Sequence, residues 1–222
     1  MKHSINLGAY GWRHPHWLNT FYPEDLPVSE PEDWRLTYFS NEFNAVLVPA
    51  SYWQTGEKVD CERWLDAVHE KFQFFVECQS RMFQHISLSE FIASMKKLKP
   101  QLAGLVFLEN KQAALNVEQD PFKALTDALE VDVFGASAVF GGSFSVKSKA
   151  VWRQHEPQFS NFAYLENDLS DLKSARMAID RFASSFEKLE PEITEATIIV
   201  DHAQLQASRL SEFRSLLEIM GY

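Results

Sequence analysis

The sequence predicts an α/β domain built as a parallel β/α barrel, and three observations lead there. Short apolar runs of strand length alternate with longer segments of helical period, which is the pattern of βα units. The runs are almost continuously hydrophobic, so both faces of each strand must be covered and helices must pack outside the sheet. With 222 residues, 45% of them hydrophobic, the chain can bury one large core and is read as a single domain over residues 1–222.

Taken in order, strands are expected at Ile5 to Gly8, Ala45 to Val48, Phe72 to Val76, Leu105 to Leu108, a run ending near Phe140, Phe162 to Leu165, and Thr197 to Val200. Three helices stand out between and after them. Leu88, Phe91, Ile92, Met95 and Leu98 recur at helical spacing behind Ser87-x-x-Glu90, a capping-box pattern. Leu172, Ala175, Ile179, Phe182, Phe186 and Leu189 form a second apolar stripe. Leu210, Phe213, Leu217 and Met220 form a third, in a helix that stops before Gly221. The stretch from Gly141 to Ser160 opens with Gly141-Gly142-Ser143 and has no clear period, which predicts a long loop or an irregular helix. About seven strands are counted where a complete (β/α)₈ barrel has eight, so the barrel is expected to be incomplete or irregular.

Several function classes lose support from composition. No stretch approaches the roughly 20 apolar residues that span a bilayer, and Met1-Lys2-His3-Ser4 lacks the apolar region of a secretory signal. A soluble, cytoplasmic protein with no membrane partner is expected. Cys61 and Cys78 form no CxxC pair and no disulfide framework, and read as two small buried thiols. A formal net charge of −10 opposes association with nucleic acid, which depends on neutralising phosphates with Lys and Arg. The clusters Lys96, Lys97 and Lys99, and Lys147, Lys149 and Arg153, read as solvated faces. There is no Walker-type loop and no GxSxG elbow, and Gly8-x-x-Gly11 lacks the full dinucleotide fingerprint. His14-Pro15-His16 reads as a surface turn.

In parallel α/β architectures the reacting groups lie at the carboxyl ends of strands. Here those ends are acidic. Val76 is followed by Glu77, Leu108 by Glu109 and Asn110, Leu165 by Glu166, Asn167 and Asp168, and Val200 by Asp201 and His202. Carboxylates from four strands could hold a hard divalent cation such as Mg²⁺ or Mn²⁺, with His202 as ligand or base. Polar residues also end strands simply because the chain returns to water, and a one-residue register shift turns a side chain outward.

Leu7-Gly8-Ala9-Tyr10-Gly11-Trp12, then Trp17, Phe21-Tyr22-Pro23 and Leu26-Pro27, resembles the opening of the YecE-like family, catalogued as domain of unknown function 72. That family reads G-T-S-G-W-x-Y, W, then F-Y-P and L-P. The likeness continues more loosely through Phe72-Gln73-Phe74-Phe75-Val76, which is similar to an F-x-F-x-x-K strand, and through Phe162-Ala163-Tyr164, similar to F-x-Y-x-R. His85 stands where the family has the His of I-T-H. The resemblance implies a TIM-like barrel and brings no established reaction with it. Departures fall at the rim. Val46 to Trp53 lacks the acid and the amide of V-E-I-N-S-T-F-Y, while Glu77 and Glu166 replace a Lys and an Arg. An anion held by those cations would now be repelled.

The leading expectation is an acidic, aromatic-lined mouth that binds a small ligand or carries out metal-assisted hydrolysis. Glu77, Glu109, Glu166 and Asp201 would hold the metal, and His202, Asp201 or His85 would act as acid or base. Tyr10, Trp12, Trp17, Tyr52 and Trp53 would line the pocket, although the favoured reading of Trp12, Trp17, Phe21 and Tyr22 is a plug for one barrel end. The alternatives are a non-catalytic interaction protein that has lost the family's polar site and, by fold analogy alone, a nuclease-like phosphodiesterase.

Overall fold

The structure is a computed structural model that describes residues 4–24, 33–55, 59–108, 121–135, 148–155, 158–186, 189 and 194–222. Among them the order of elements is β1 (Ser4–Tyr10), α1 (Asp33–Glu42), β2 (Ala45–Val48), α2 (Cys61–Asp66), β3 (Gln73–Glu77), α3 (Leu88–Leu98), β4 (Leu102–Phe107), α4 (Pro121–Leu129), β5 (Asp132–Gly135), β6 (Ser148–Lys149), β7 (Phe162–Leu165), α5 (Leu172–Phe186), β8 (Glu195–Val200) and α6 (Ala207–Met220). Seven strands have four to seven residues, and β6 adds a two-residue eighth. Every residue of β2 and β7 is buried, as the continuous apolar runs required. No helix among the described residues is long and apolar enough to cross a membrane.

Two compact units divide the chain, one of Met1–Val46 with Val151–Tyr222 and one of Leu47–Ala150. In the first, β7, β8 and β1 pair in that order, all parallel, with Leu165 and Ala9 both in register with Val200. A further parallel bridge joins Trp152 to Ala163. Gly8 lets β1 approach Ala45 closely, because a Cβ there would stand 1.9 Å from the Ala45 carbonyl oxygen. An aromatic core of Trp12, Trp17, Tyr22, Phe39 and Phe43 is fully buried, each side chain contributing about 1.5–3 kcal/mol. Two of its polar tips are satisfied internally. Trp17 donates its indole N–H to the Leu205 carbonyl at 2.6 Å, and the Tyr22 hydroxyl donates to the Trp12 carbonyl at 2.6 Å. Buried Leu210, Phe213 and Leu217 anchor α6, which ends at Gly221 with φ 95°.

The second unit pairs β3, β4, β5 and β6 in order, again all parallel. Trp64 of α2 stacks on Phe74 of β3 with centroids 6.1 Å apart. The Ser87-x-x-Glu90 pattern is a true capping box: Ser87 Oγ accepts the Glu90 N–H at 3.2 Å, and the Glu90 carboxylate accepts the Ser87 N–H at 3.1 Å. Cys61 and Cys78 are free and buried, both in this unit. Burial pushes the Cys61 thiol up to about 12, and burial followed by the charge of Glu77 pushes Cys78 well above the usual thiol range.

Some expectations shift. The fifth strand ends at Gly135, and residues 136–140, with Phe140, lie outside the described residues. So does the Gly141-Gly142-Ser143 opening, while the described part of the following stretch is extended at β6 and Trp152 rather than helical. Leu172 opens α5 exposed, and Leu189 falls beyond its end. Lys149 is half-buried and pairs with Asp132, its ammonium 2.6 Å from the carboxylate.

Candidate functional site

The parallel register of the first unit sets Tyr10 at the end of β1, Tyr164 near the end of β7 and Asp201 directly after β8. The Asp201 N–H still donates to the Leu165 carbonyl at 3.0 Å, so the chain leaving β8 stays pinned to β7. There the Tyr164 hydroxyl donates to the Asp201 carboxylate. Tyr10 meets the Tyr164 ring edge-on, with centroids 6.4 Å apart at 80°. Burial above all, with the hydrogen bond and charge of Asp201 behind it, holds the Tyr164 phenol far above the usual tyrosine range, so it stays a donor.

Arg153 completes this group. The Trp152–Ala163 bridge, closed by Trp152 N–H to Phe162 O and Tyr164 N–H to Trp152 O, both at 2.9 Å, carries Arg153 to the same strand end. Its guanidinium lies 5.1 Å from the Tyr164 ring centroid and 3.1 Å from the Glu166 carboxylate. A cation therefore stands beside the position where Glu166 replaces the Arg of F-x-Y-x-R. Neither Arg153 nor Tyr164 was marked as a site residue by the sequence. Arg153 had no periodic signal, since only a non-local bridge positions it, whereas Tyr164 was visible within Phe162-Ala163-Tyr164.

The nearby loop is polar. His202 accepts the Gln204 N–H at Nδ1 over 3.2 Å. Asp168 accepts the N–H and hydroxyl of Ser170 at 3.0 and 2.8 Å, and these bonds, with the charges of His202 and Arg209, hold its carboxyl below the usual range. His16, Asp168, Ser170, Gln204 and Arg209 border a shallow concavity of about 400 Å³. Trp12 and Trp17 are 1% and 0% exposed and belong to the aromatic core, which leaves Tyr10 as the nominated aromatic beside the Tyr164–Asp201 pair.

In the second unit Glu77 is 3% exposed, and both its oxygens serve the fold. One accepts the Ala50 N–H at 3.0 Å and the other the Gln79 amide at 2.7 Å, which fixes the 3₁₀ turn Ala50–Trp53. Tyr52 of that turn meets Trp64 edge-on at 5.7 Å. Trp53 and His85 border a cavity of about 610 Å³. Of the four nominated metal ligands, Glu77 thus lies in the second unit, Glu166 and Asp201 lie in the first, and Glu109 is outside the described residues. Among the described residues no three His, Cys, Asp or Glu side chains are grouped so as to hold a metal ion.

Comparison with known proteins supplies the frame. The family model described as "Protein of unknown function DUF72" matches residues 6–209. No curated protein matches the chain significantly. Among solved structures, a DUF72 family protein from Thermotoga maritima is similar at 11% identity and a TM-score of 0.62, over 97% of this chain and 100% of that one. A second, from Enterococcus faecalis, is similar at 12% identity and 0.56, over 97% and 98%. D-psicose 3-epimerase, whose structure was determined in the presence of D-fructose, is similar at 6% identity and 0.56, over 97% of each chain. At such identities the likeness shows the fold alone, and that fold is α/β of the TIM-barrel type.

Proposed function

This chain belongs to the family of unknown function DUF72, and we propose that it binds a small polar ligand at the ends of β1, β7 and β8, where a ligand hydroxyl or ammonium donates to Asp201. The observation that carries the reading is the hydrogen bond from Tyr164 to Asp201 at the carboxyl ends of parallel strands. A carboxylate offers about four lone-pair positions. Tyr164 donates to one of them and fixes the orientation of the carboxylate. The ring edges of Tyr10 and Tyr164 provide apolar contact, and the Arg153–Glu166 pair gives the rim both a donor and an acceptor. A carboxylate held in this way suits proton transfer as well as binding, with His202 next to it in the chain.

The test is a thermal-shift screen of small polyols, amines and amino acids on the full chain, repeated with Asp201→Asn and Tyr164→Phe. At least one class should raise Tm in the parent and lose that effect in both variants. If no class shifts Tm, or if both variants respond like the parent, the reading fails. Mg²⁺, Mn²⁺ and Zn²⁺ form a separate arm: stabilisation by one of them that Asp201→Asn abolishes would favour metal-assisted hydrolysis over ligand binding alone.

A further inference from the structure

We propose that the concavity between the loop after β7, the loop after β8 and the first turn of α6 is a second binding site in the first unit, and that it takes a neutral polyhydroxylated molecule, a sugar or a polyol. Its volume of about 400 Å³ suits a small molecule, since such sites span roughly 300–1,000 Å³. Neither Tyr164 nor Asp201 borders it, so it is distinct from the strand-end site. Four of its side chains bring unused hydrogen-bonding groups to one space. Asp168 accepts the Ser170 N–H and hydroxyl at Oδ1, while its Oδ2 has no partner among the described residues. Arg209 engages only Nη1, in long contacts of 3.5 Å to the Ser170 carbonyl and 3.7 Å to Glu212, and its Nε and Nη2 have no partner among the described residues. The side-chain amides of Gln204 and Gln206 are likewise unpartnered there, and Gln206 does not cap α6 with its side chain. All four are reachable from solvent, the glutamines being exposed and Asp168 and Arg209 half-buried.

The charge pattern selects the ligand. Behind the Ser170 bonds, the charge of Arg209 helps to hold the Asp168 carboxyl below its usual range, yet the guanidinium turns to Ser170 and Glu212 and the two opposite charges stay apart across the concavity. A simple anion placed between them would meet Asp168, and a simple cation would meet Arg209, so an ion of either sign is opposed by one wall. A hydroxyl suits both walls, because one oxygen donates to a carboxylate and accepts from a guanidinium. The two amides, each a donor and an acceptor, match further hydroxyls. Ala203 is the one apolar residue bordering the space among the described residues, so a ligand with a large apolar surface finds no counterpart. The wall is also fixed in advance. Leu205, between the two glutamines, is fully buried, and its carbonyl accepts both the Trp17 indole N–H and the His16 Nε2 donor at 2.6 Å. Its own N–H donates to the His202 carbonyl at 3.0 Å. A backbone pinned in this way loses little freedom when a ligand arrives.

The experiment is NMR titration of the full chain with D-glucose, D-ribose, D-glucitol and myo-inositol, beside cyclohexanol, glycine and inorganic phosphate, which carry respectively one hydroxyl, a pair of opposite charges and an anion alone. At least one of the four polyols should bind about tenfold or more tightly than every control, with an affinity that added salt leaves unchanged. Asp168→Asn keeps the turn, because the side-chain oxygen still accepts from Ser170, while it replaces the free acceptor by a donor. Arg209→Leu removes the guanidinium and keeps a good helix former in α6. Each variant should weaken the polyol about tenfold, with circular dichroism like that of the parent confirming the fold. Asp201→Asn should bind the polyol as the parent does. The proposal is overturned if none of the four polyols binds, if cyclohexanol, glycine or phosphate binds as tightly, or if Asp168→Asn or Arg209→Leu binds like the parent. Loss of polyol binding on Asp201→Asn would also overturn it, by placing the polyol at the strand ends.

Discussion

His14 has its ring against Trp17, with centroids 4.1 Å apart, and its Nε2 is buried without a partner among the described residues. Burial first, and then the charge of His16, lower its pKa to about 4, although hydrogen bonds to the Tyr10 and Gly11 backbone pull the other way. The folded protein therefore holds a neutral imidazole that the unfolded chain protonates below about pH 6.5. Its contribution is complete above that pH and disappears as pH falls through about 4. Urea denaturation at pH 7 and pH 4.5 should show about 2.5 kcal/mol more acid loss in the parent than in His14→Gln. Equal losses would show that the imidazole titrates as if exposed. The sequence read His14-Pro15-His16 as a surface turn because nothing local reports that Trp17, the next residue, turns inward to the Leu205 carbonyl 188 positions away. The same limit hid Arg153. A residue's environment is legible only when near neighbours create it.

At the scale of elements, local signals served well. The capping box of α3 was readable because its four residues are contiguous, and Ser87→Ala should cost about 1 kcal/mol in urea denaturation, with most of the loss recovered by Ser87→Asn. A neutral Ser87→Ala would mean that α3 is set by Phe91, Met95 and Leu98 alone. β2 and β7 match their apolar runs residue for residue, since a strand buried on both faces has no polar position to blur its ends. The β6 pair Ser148–Lys149 carries no hydrophobic signal and exists only by pairing with β5. α1 was missed for a related reason: Asp33–Glu42 mixes Arg35, Asn41 and Glu42 with its buried Leu36 and Phe39, leaving no clean stripe. Carboxylates at strand ends were legible as a class. Their partners were not, because Glu77 is taken by Ala50 and Gln79 through contacts no linear pattern encodes.

For the whole molecule, 6–12% identity with TM-scores of 0.56–0.62 means that the order and burial of elements, rather than particular side chains, is what these folds share. The division into two units has its own consequence through the cysteines, since Cys61 and Cys78 both lie in Leu47–Ala150 and no others occur in the chain. A thiol reagent added to native protein should react slowly and only as that unit opens, so the modification rate measures its opening free energy by itself. Rapid labelling of both thiols under native conditions would contradict their burial. Followed by mass spectrometry, the two sites run as separate clocks: Cys61 times departures at the wall of the cavity that Trp53 borders, and Cys78 times fraying behind β3.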